Sequence, residues 1–287
     1  MVKSLTPKTL PEALEFRKHQ RLIPLAGGTD LMVRKRSWAG TLPKFEYPAL
    51  FIGGLAELKG INVKDGILTI GAAATLASIL EHPAVPDIVK QAISIMASPA
   101  IRNAGTLAGN ICNASPAADT LPPLYVLGTV LILQSTAAQR ELPIAEFIKG
   151  PGQTNLQTDE LLVAVQIPIQ SYDVSFYKKV AARKADALSK VSFAGLAKVS
   201  GDMVTDLRMA IGAVAPRVVR SKEAEQLLKG RKIRDLAGLI PELKKIYDPL
   251  IRPIDDQRSD AVYRSQVAHR LIEYYIMQCA SATAHAK

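Results

Sequence analysis

Cysteine is scarce in this chain: Cys112 and Cys279 are the only two among 287 residues. They form no CxxC pair and no disulfide framework, as suits a reducing compartment. A chain holding its own iron–sulfur cluster needs about four thiolates, so such a cluster is excluded. Histidine is nearly as sparse. His19, His82, His269 and His285 are scattered, none with the spacing of a zinc site, and no metal ligand is expected. Long apolar runs are missing as well. The best stretch, residues 121–133, falls short of the ~18–20 residues of a membrane span and contains Pro122, Pro123 and Gly128. Lys3 and Lys8 are followed by no apolar stretch, so no signal peptide is expected and the cytoplasm is the expected compartment.

What remains is a composition of 48% hydrophobic and 22% charged residues, that of a soluble globular protein with material for one large domain or two ordinary ones. The net charge of +10 is spread along the chain, with short clusters at 34–36, 229–232 and 244–245. Aromatics total only 5% and do not interleave with these clusters, so nucleic acid is not an expected partner. A basic surface that docks on acidic partner subunits, or that surrounds a phosphate-bearing cofactor, accounts for the charge.

Periodicity predicts a helix over 9–19, a strand over 22–26 and another over 49–52. Strands at 61–63 and 67–71 flank Lys64-Asp65-Gly66, a hairpin signal. Helical patterns cover 75–81 and 86–97, and 100–123 reads as a long loop of small and polar residues. Strands follow at 129–134 and 161–167, then a boundary at 168–173. A second hairpin pairs 191–199 with 203–213 around Gly201-Asp202. Ala268, Leu271, Ile272, Tyr275, Ile276 and Cys279 mark one face of a final helix, with Ser259 as its expected N-cap. Strand pairs mixed with short helices indicate an α+β architecture in two parts.

Two stretches carry candidate chemistry. Leu25-Ala26-Gly27-Gly28-Thr29-Asp30-Leu31 follows a strand directly. The glycines remove Cβ atoms and admit unusual backbone angles, and consecutive N–H groups in such a turn form a concave anion site. A plain turn is the other reading. The sequence matches neither the GxGxxG of a Rossmann unit nor a Walker loop. The second stretch, residues 101–119, offers Gly105, Ala108 and Gly109 for close approach and Thr106, Asn110, Ser115 and Asp119 as short hydrogen-bonding groups. Such groups suit a polyol chain and a diphosphate better than a reacting centre. On composition alone, a structural loop fits as well.

Together, AGGTDL and IRNAGTLAGNICNASPAAD resemble the FAD-binding subunit of molybdenum hydroxylases. That group includes the medium subunits of aerobic carbon monoxide dehydrogenase and nicotinate dehydrogenase, and the FAD domain of xanthine dehydrogenase. The resemblance continues, in the family's order, through Asp159-Glu160-Leu161-Leu162, Ile167-Pro168, KKVAARKADALSK at 178–190 and Gly212-Ala213-Val214-Ala215-Pro216. It covers nearly the whole chain.

The resemblance implies a two-lobed FAD-binding domain of the vanillyl-alcohol-oxidase/PCMH type over 1–172, with sub-lobes of about 1–55 and 56–172. A small α/β C-terminal domain with an antiparallel sheet would occupy 173–287. Leu25, Ala26, Gly27, Gly28, Thr29, Asp30 and Leu31 would wrap the FAD diphosphate. Thr106, Gly109, Asn110, Ser115 and Asp119 would hold diphosphate, ribitol and nearby atoms, with Ala108 among them. Leu162 would pack near the isoalloxazine ring. Lys179 would stand at the flavin edge, raising its potential, although a slip of one residue exchanges it with Lys178, and residues 183–190 would form a loop beside the ring. Ala108 stands where many members have glycine, and its methyl would narrow the diphosphate's approach if φ there had to be positive.

The implied role is electron transfer. Substrate is oxidised at a molybdopterin centre in a large subunit, electrons cross 2Fe-2S clusters in a small subunit, and FAD delivers them to NAD, a quinone or oxygen. No catalytic residue is expected here, and the assembly would be a heterotrimer. A stand-alone FAD-dependent oxidase or reductase of the same superfamily is the alternative, but no histidine lies near either glycine loop to link a flavin. A scaffold with a decayed site is the third reading.

Overall fold

The computed structural model describes residues 3–184 and 186–282. Ala185 of the 178–190 motif and His285 lie outside the described residues. The chain forms two compact units. One holds residues up to 85 with 97–115 and 128–169; the other holds 86–96, 116–127 and the chain from 170 onward.

The first unit contains strands β1 (Ser4–Leu5), β2 (Ile23–Leu25) and β3 (Ala49–Phe51), a parallel sheet in the order β1-β3-β2. The helix Leu10–His19 is capped by Thr9, whose side chain accepts from the Glu12 N–H. It buries Ala13 and Leu14 in a core with Leu22, Leu50 and Ile52. Next come β4 (Ile61–Lys64), β5 (Ile67–Gly71), β6 (Val130–Gln134), β7 (Gln139–Pro143), the small hairpin β8 (Ile148–Gly150) and β9 (Gln153–Thr154), and β10 (Leu161–Pro168). Five of these make an antiparallel sheet in the order β4-β5-β10-β6-β7. The β4–β5 turn places Asp65 at φ 50° and Gly66 at φ 74°, the positive pair that a tight two-residue hairpin requires.

The stretch expected to be a long loop is largely helical: Pro99–Ala104, Leu107–Asn113 and Leu121–Leu127. Thr106 and Ala114 within it, and Ser98 just before it, are caps. Ser98 accepts from the Ile101 N–H, Thr106 accepts from the Gly109 N–H, and Ala114 ends the second helix in the left-handed region at φ 48°. Pro99, Pro122 and Pro123 stand in first turns, where a missing N–H costs nothing. Cap chemistry and loop chemistry use the same residue types, so composition alone could not separate them.

The second unit is built on β11 (Val174–Ala181), β12 (Ser189–Ser200) and β13 (Met203–Gly212), antiparallel in that order. The β12–β13 turn has Gly201 at φ 61°. The C-terminal helix Ala261–Ala282 buries Ala268, Leu271, Ile272, Tyr275, Ile276 and Cys279 in a core with Phe193 and Met209. Gly195 permits this contact, because a Cβ there would lie 2.5 Å from the Tyr275 ring. Ser259 is not the cap of this helix. Asp260 Oδ1 accepts from the Tyr263 N–H at 2.7 Å, whereas the Ser259 N–H is held by Asp256.

Candidate functional site

In the first unit, β2 delivers the chain to Gly27. The Leu25 carbonyl accepts from the Ile52 N–H at 2.9 Å, which holds the strand end against β3. The N–H groups of Gly27, Gly28, Thr29 and Asp30 then donate to no group among the described residues. Gly28 sits at φ +68°. Gly27 is needed for a different reason: a Cβ there would lie 1.8 Å from the Ala104 carbonyl oxygen and 2.9 Å from the Gly105 Cα. The first glycine loop therefore rests directly on the second motif. A Cβ on Gly105 would in turn stand 3.2 Å from the Thr29 hydroxyl. The Leu76 N–H donates to the Gly105 carbonyl at 2.8 Å, and Thr75 bridges Thr106, which ties the second motif to the rest of the unit.

The structure thus brings Gly27, Gly28 and Thr29 together with Gly105 and Thr106. Ala108, Gly109 and Asn110 follow on the helix that Thr106 caps. Ala108 is buried and is not among the residues with positive φ, so the condition under which its methyl would crowd a diphosphate is not met. Arg34, on the helix Leu31–Lys35 that follows Asp30, donates to Asn113 Oδ1 at 2.8 Å. Leu162 lies on β10, buried, opposite Leu133 of β6.

One feature escaped the sequence reading. Gly53-Gly54 is a second glycine pair, at the carboxyl end of β3, the parallel neighbour of β2. A Cβ on Gly53 would lie 2.9 Å from the Ala26 carbonyl oxygen. Ligands of parallel sheets bind outside the carboxyl ends of the strands, and two adjacent strands that both end in diglycine were the available signal.

The second unit contains a buried polar cluster. Asp119 Oδ2 accepts from Lys179 Nζ at 2.7 Å, and Oδ1 accepts from Ser189 Oγ at 2.5 Å. The Tyr177 hydroxyl donates to the Asp119 carbonyl at 3.2 Å and to Oδ1 at 3.4 Å. Lys179 Nζ also donates to the Ile95 carbonyl at 3.3 Å. The Lys179 and Asp119 side chains are only 4% and 6% exposed. Burial, and then the adjacent Asp119 charge and hydrogen bond, push the Tyr177 phenol well above its ordinary value, so it stays a donor. Side chains alternate along a strand, which puts Tyr177 and Lys179 on one face of β11 and leaves Lys178 exposed on the other. Both Asp119 carboxylate oxygens are thus taken by side chains of its own unit. Of residues 183–190, expected to form a loop, Ser189 and Lys190 instead begin β12.

A diphosphate requires several donors converging on little space. Consecutive unengaged N–H groups with two Cβ atoms missing meet that requirement, so the residues fit the cofactor.

The family described as the FAD binding domain in molybdopterin dehydrogenase matches residues 1–170, and the CO dehydrogenase flavoprotein C-terminal domain matches 175–279. The glyceraldehyde dehydrogenase medium chain of Sulfolobus acidocaldarius is 31% identical over 271 residues, 91% of this chain and 92% of that one. The nicotinate dehydrogenase FAD-subunit of Eubacterium barkeri is 30% identical over 237 residues, 78% of each. A solved carbon monoxide dehydrogenase chain from Hydrogenophaga pseudoflava shares the fold, with a TM-score of 0.88, 22% identity and 98% of both chains covered. The family matches and these relatives define an FAD-binding component of an oxidoreductase. More narrowly, the chain belongs to the FAD-binding medium subunits of the xanthine dehydrogenase/CO dehydrogenase family of molybdenum hydroxylases. Among the described residues, no helix is long and apolar enough to cross a membrane.

Proposed function

We propose that this chain, in the cytoplasm, is the electron-exit subunit of a heterotrimeric molybdenum hydroxylase. It takes electrons from the iron–sulfur clusters of a small partner subunit, supplied by a large molybdopterin-binding subunit, and passes them to NAD, a quinone or oxygen. The observation that carries the reading is the run of N–H groups at Gly27, Gly28, Thr29 and Asp30 that find no acceptor among the described residues, braced by Ala104 and Gly105.

Bound FAD supplies the electron chemistry, and the protein supplies binding, orientation and electrostatics. In this reading the N–H groups of residues 27–30 and the Thr29 hydroxyl bind the diphosphate. Thr106, Gly109, Asn110 and Ser115 bind the polyol side, and Leu162 gives the ring an apolar contact. Lys179 is the cation that favours the reduced, anionic ring, and Asp119 holds Lys179. The domain division at 172/173, with sub-lobes at about 55/56, belongs to the same proposal.

The test is made on the purified complex. FAD is stripped, substrate is added, and acceptor reduction is followed before and after FAD is restored. The expected result is bleaching of the iron–sulfur absorption in both states, with acceptor reduction only when FAD is present. Full acceptor reduction by the FAD-free complex would show that electrons leave by another route.

A further inference from the structure

The two candidate cofactor motifs, both within the first unit, meet at more than one place. At one end Gly27 rests on the Ala104 carbonyl and Gly105. At the other, Arg34 Nη1 donates to Asn113 Oδ1 at 2.8 Å, between residues 79 positions apart. Arg34 stands near the end of the helix Leu31–Lys35, and Asn113 is the last residue of the helix Leu107–Asn113. The first of these helices contributes no buried residue, so apolar packing does little to fix it in place. The Lys35 carbonyl accepts from the Lys44 N–H at 2.7 Å, and Lys35 Nζ meets Glu46 at 3.1 Å. Both of those ties run to the chain that follows the helix and not to the second motif. The Asp30 carboxylate, one turn back, lies 3.9 Å from the Arg34 guanidinium and steadies it. A single contact between two short helical pieces leaves a hinge, and a second contact at the far end removes it.

We propose that the Arg34–Asn113 hydrogen bond is a clasp: it holds the helix after the glycine loop against the second motif, and so sets how long FAD stays bound. The inference rests on the reading of residues 27–30 as the diphosphate site, and the experiment separates the two. The Met32 N–H donates to the Gly28 carbonyl at 2.9 Å and the Arg34 N–H to the Asp30 carbonyl at 3.0 Å. A swing of the helix therefore carries the backbone of residues 28–30 with it. Arg34 and Asn113 are positioning residues, and neither has to touch the cofactor. A hydrogen bond from a charged donor is the stronger kind, and losing a contact that closes a bound state shows mainly in the rate of release.

The full chain is compared as wild type, Arg34→Met, Asn113→Ala, the double variant and Gly27→Ala. The readouts are the dissociation constant and release rate of FAD added to the stripped chain, with urea unfolding of the stripped chain beside them. Arg34→Met and Asn113→Ala are each expected to speed FAD release about threefold to tenfold, and the double variant should do no more than Arg34→Met alone. Unfolding should stay at the wild-type midpoint, because the bond joins exposed side chains. Alanine is also the better helix former, so faster release from Asn113→Ala does not reflect a weaker helix. Asn113→Ala keeps the Arg34 charge. Wild-type release in that variant, beside faster release in Arg34→Met, would assign the effect to charge alone and overturn the inference. Effects that add in the double variant, or wild-type release in both single variants, would overturn it too. Wild-type FAD affinity in Gly27→Ala would overturn the reading of residues 27–30, and the inference with it.

Discussion

Gly27 and Gly28 look interchangeable in the sequence, yet the structure gives them different work. Gly28 supplies a positive φ, while Gly27 gives up its side chain so that the loop can rest on Ala104. Gly28→Ala strains one residue, at about 1 kcal/mol. Gly27→Ala must move backbone, because the obstacle is a carbonyl and not the end of a flexible side chain. It is expected to cost about 1–3 kcal/mol and to weaken FAD binding far more than Gly28→Ala, as read by urea unfolding and FAD titration. Ala108→Gly provides the converse check. With Ala108 in a helix at ordinary φ, glycine should cost up to about 1 kcal/mol and gain no affinity. At this scale the sequence is informative about residue type and silent about reason. The glycine pair after a strand signals close approach, but what approaches it comes from residues far along the chain.

Elements were legible where local chemistry decides them. The Asp65-Gly66 turn and the hydrophobic face of the last helix follow from rules that span a few residues, and both are found where periodicity puts them. The reading failed where two neighbours offered the same chemistry. Ser259 and Asp260 are both good caps; only the path of the chain, with Asp256 holding the Ser259 N–H, gives the task to Asp260. Asp260→Ala should therefore destabilise the chain by about 1 kcal/mol, and Ser259→Ala by less than about 0.5 kcal/mol, both measured by chemical denaturation. The loop expected at 100–123 failed for a related reason. Three short helices with Ser, Thr and Pro at their starts have the composition of a loop, and no apolar period is long enough to reveal them.

At the scale of the whole molecule, the ordered set of motifs was enough to identify the family, because each motif is short and local. The partners of Asp119 were not legible. Lys179 and Ser189 lie 60 and 70 residues away in sequence, and nothing local marks them as a cluster. Nor does the sequence show that 86–96 and 116–127 pack with the chain after 170. Among the described residues the N–H groups of 27–30 find no acceptor, and the FAD-binding family match covers this part of the chain. The most direct test of the account is the absorption spectrum of the purified full-length chain, with heat release and identification of any chromophore. Flavin bands, with FAD released in a one-to-one ratio to protein, are the expected result. A colourless protein that also fails to take up added FAD would contradict the account.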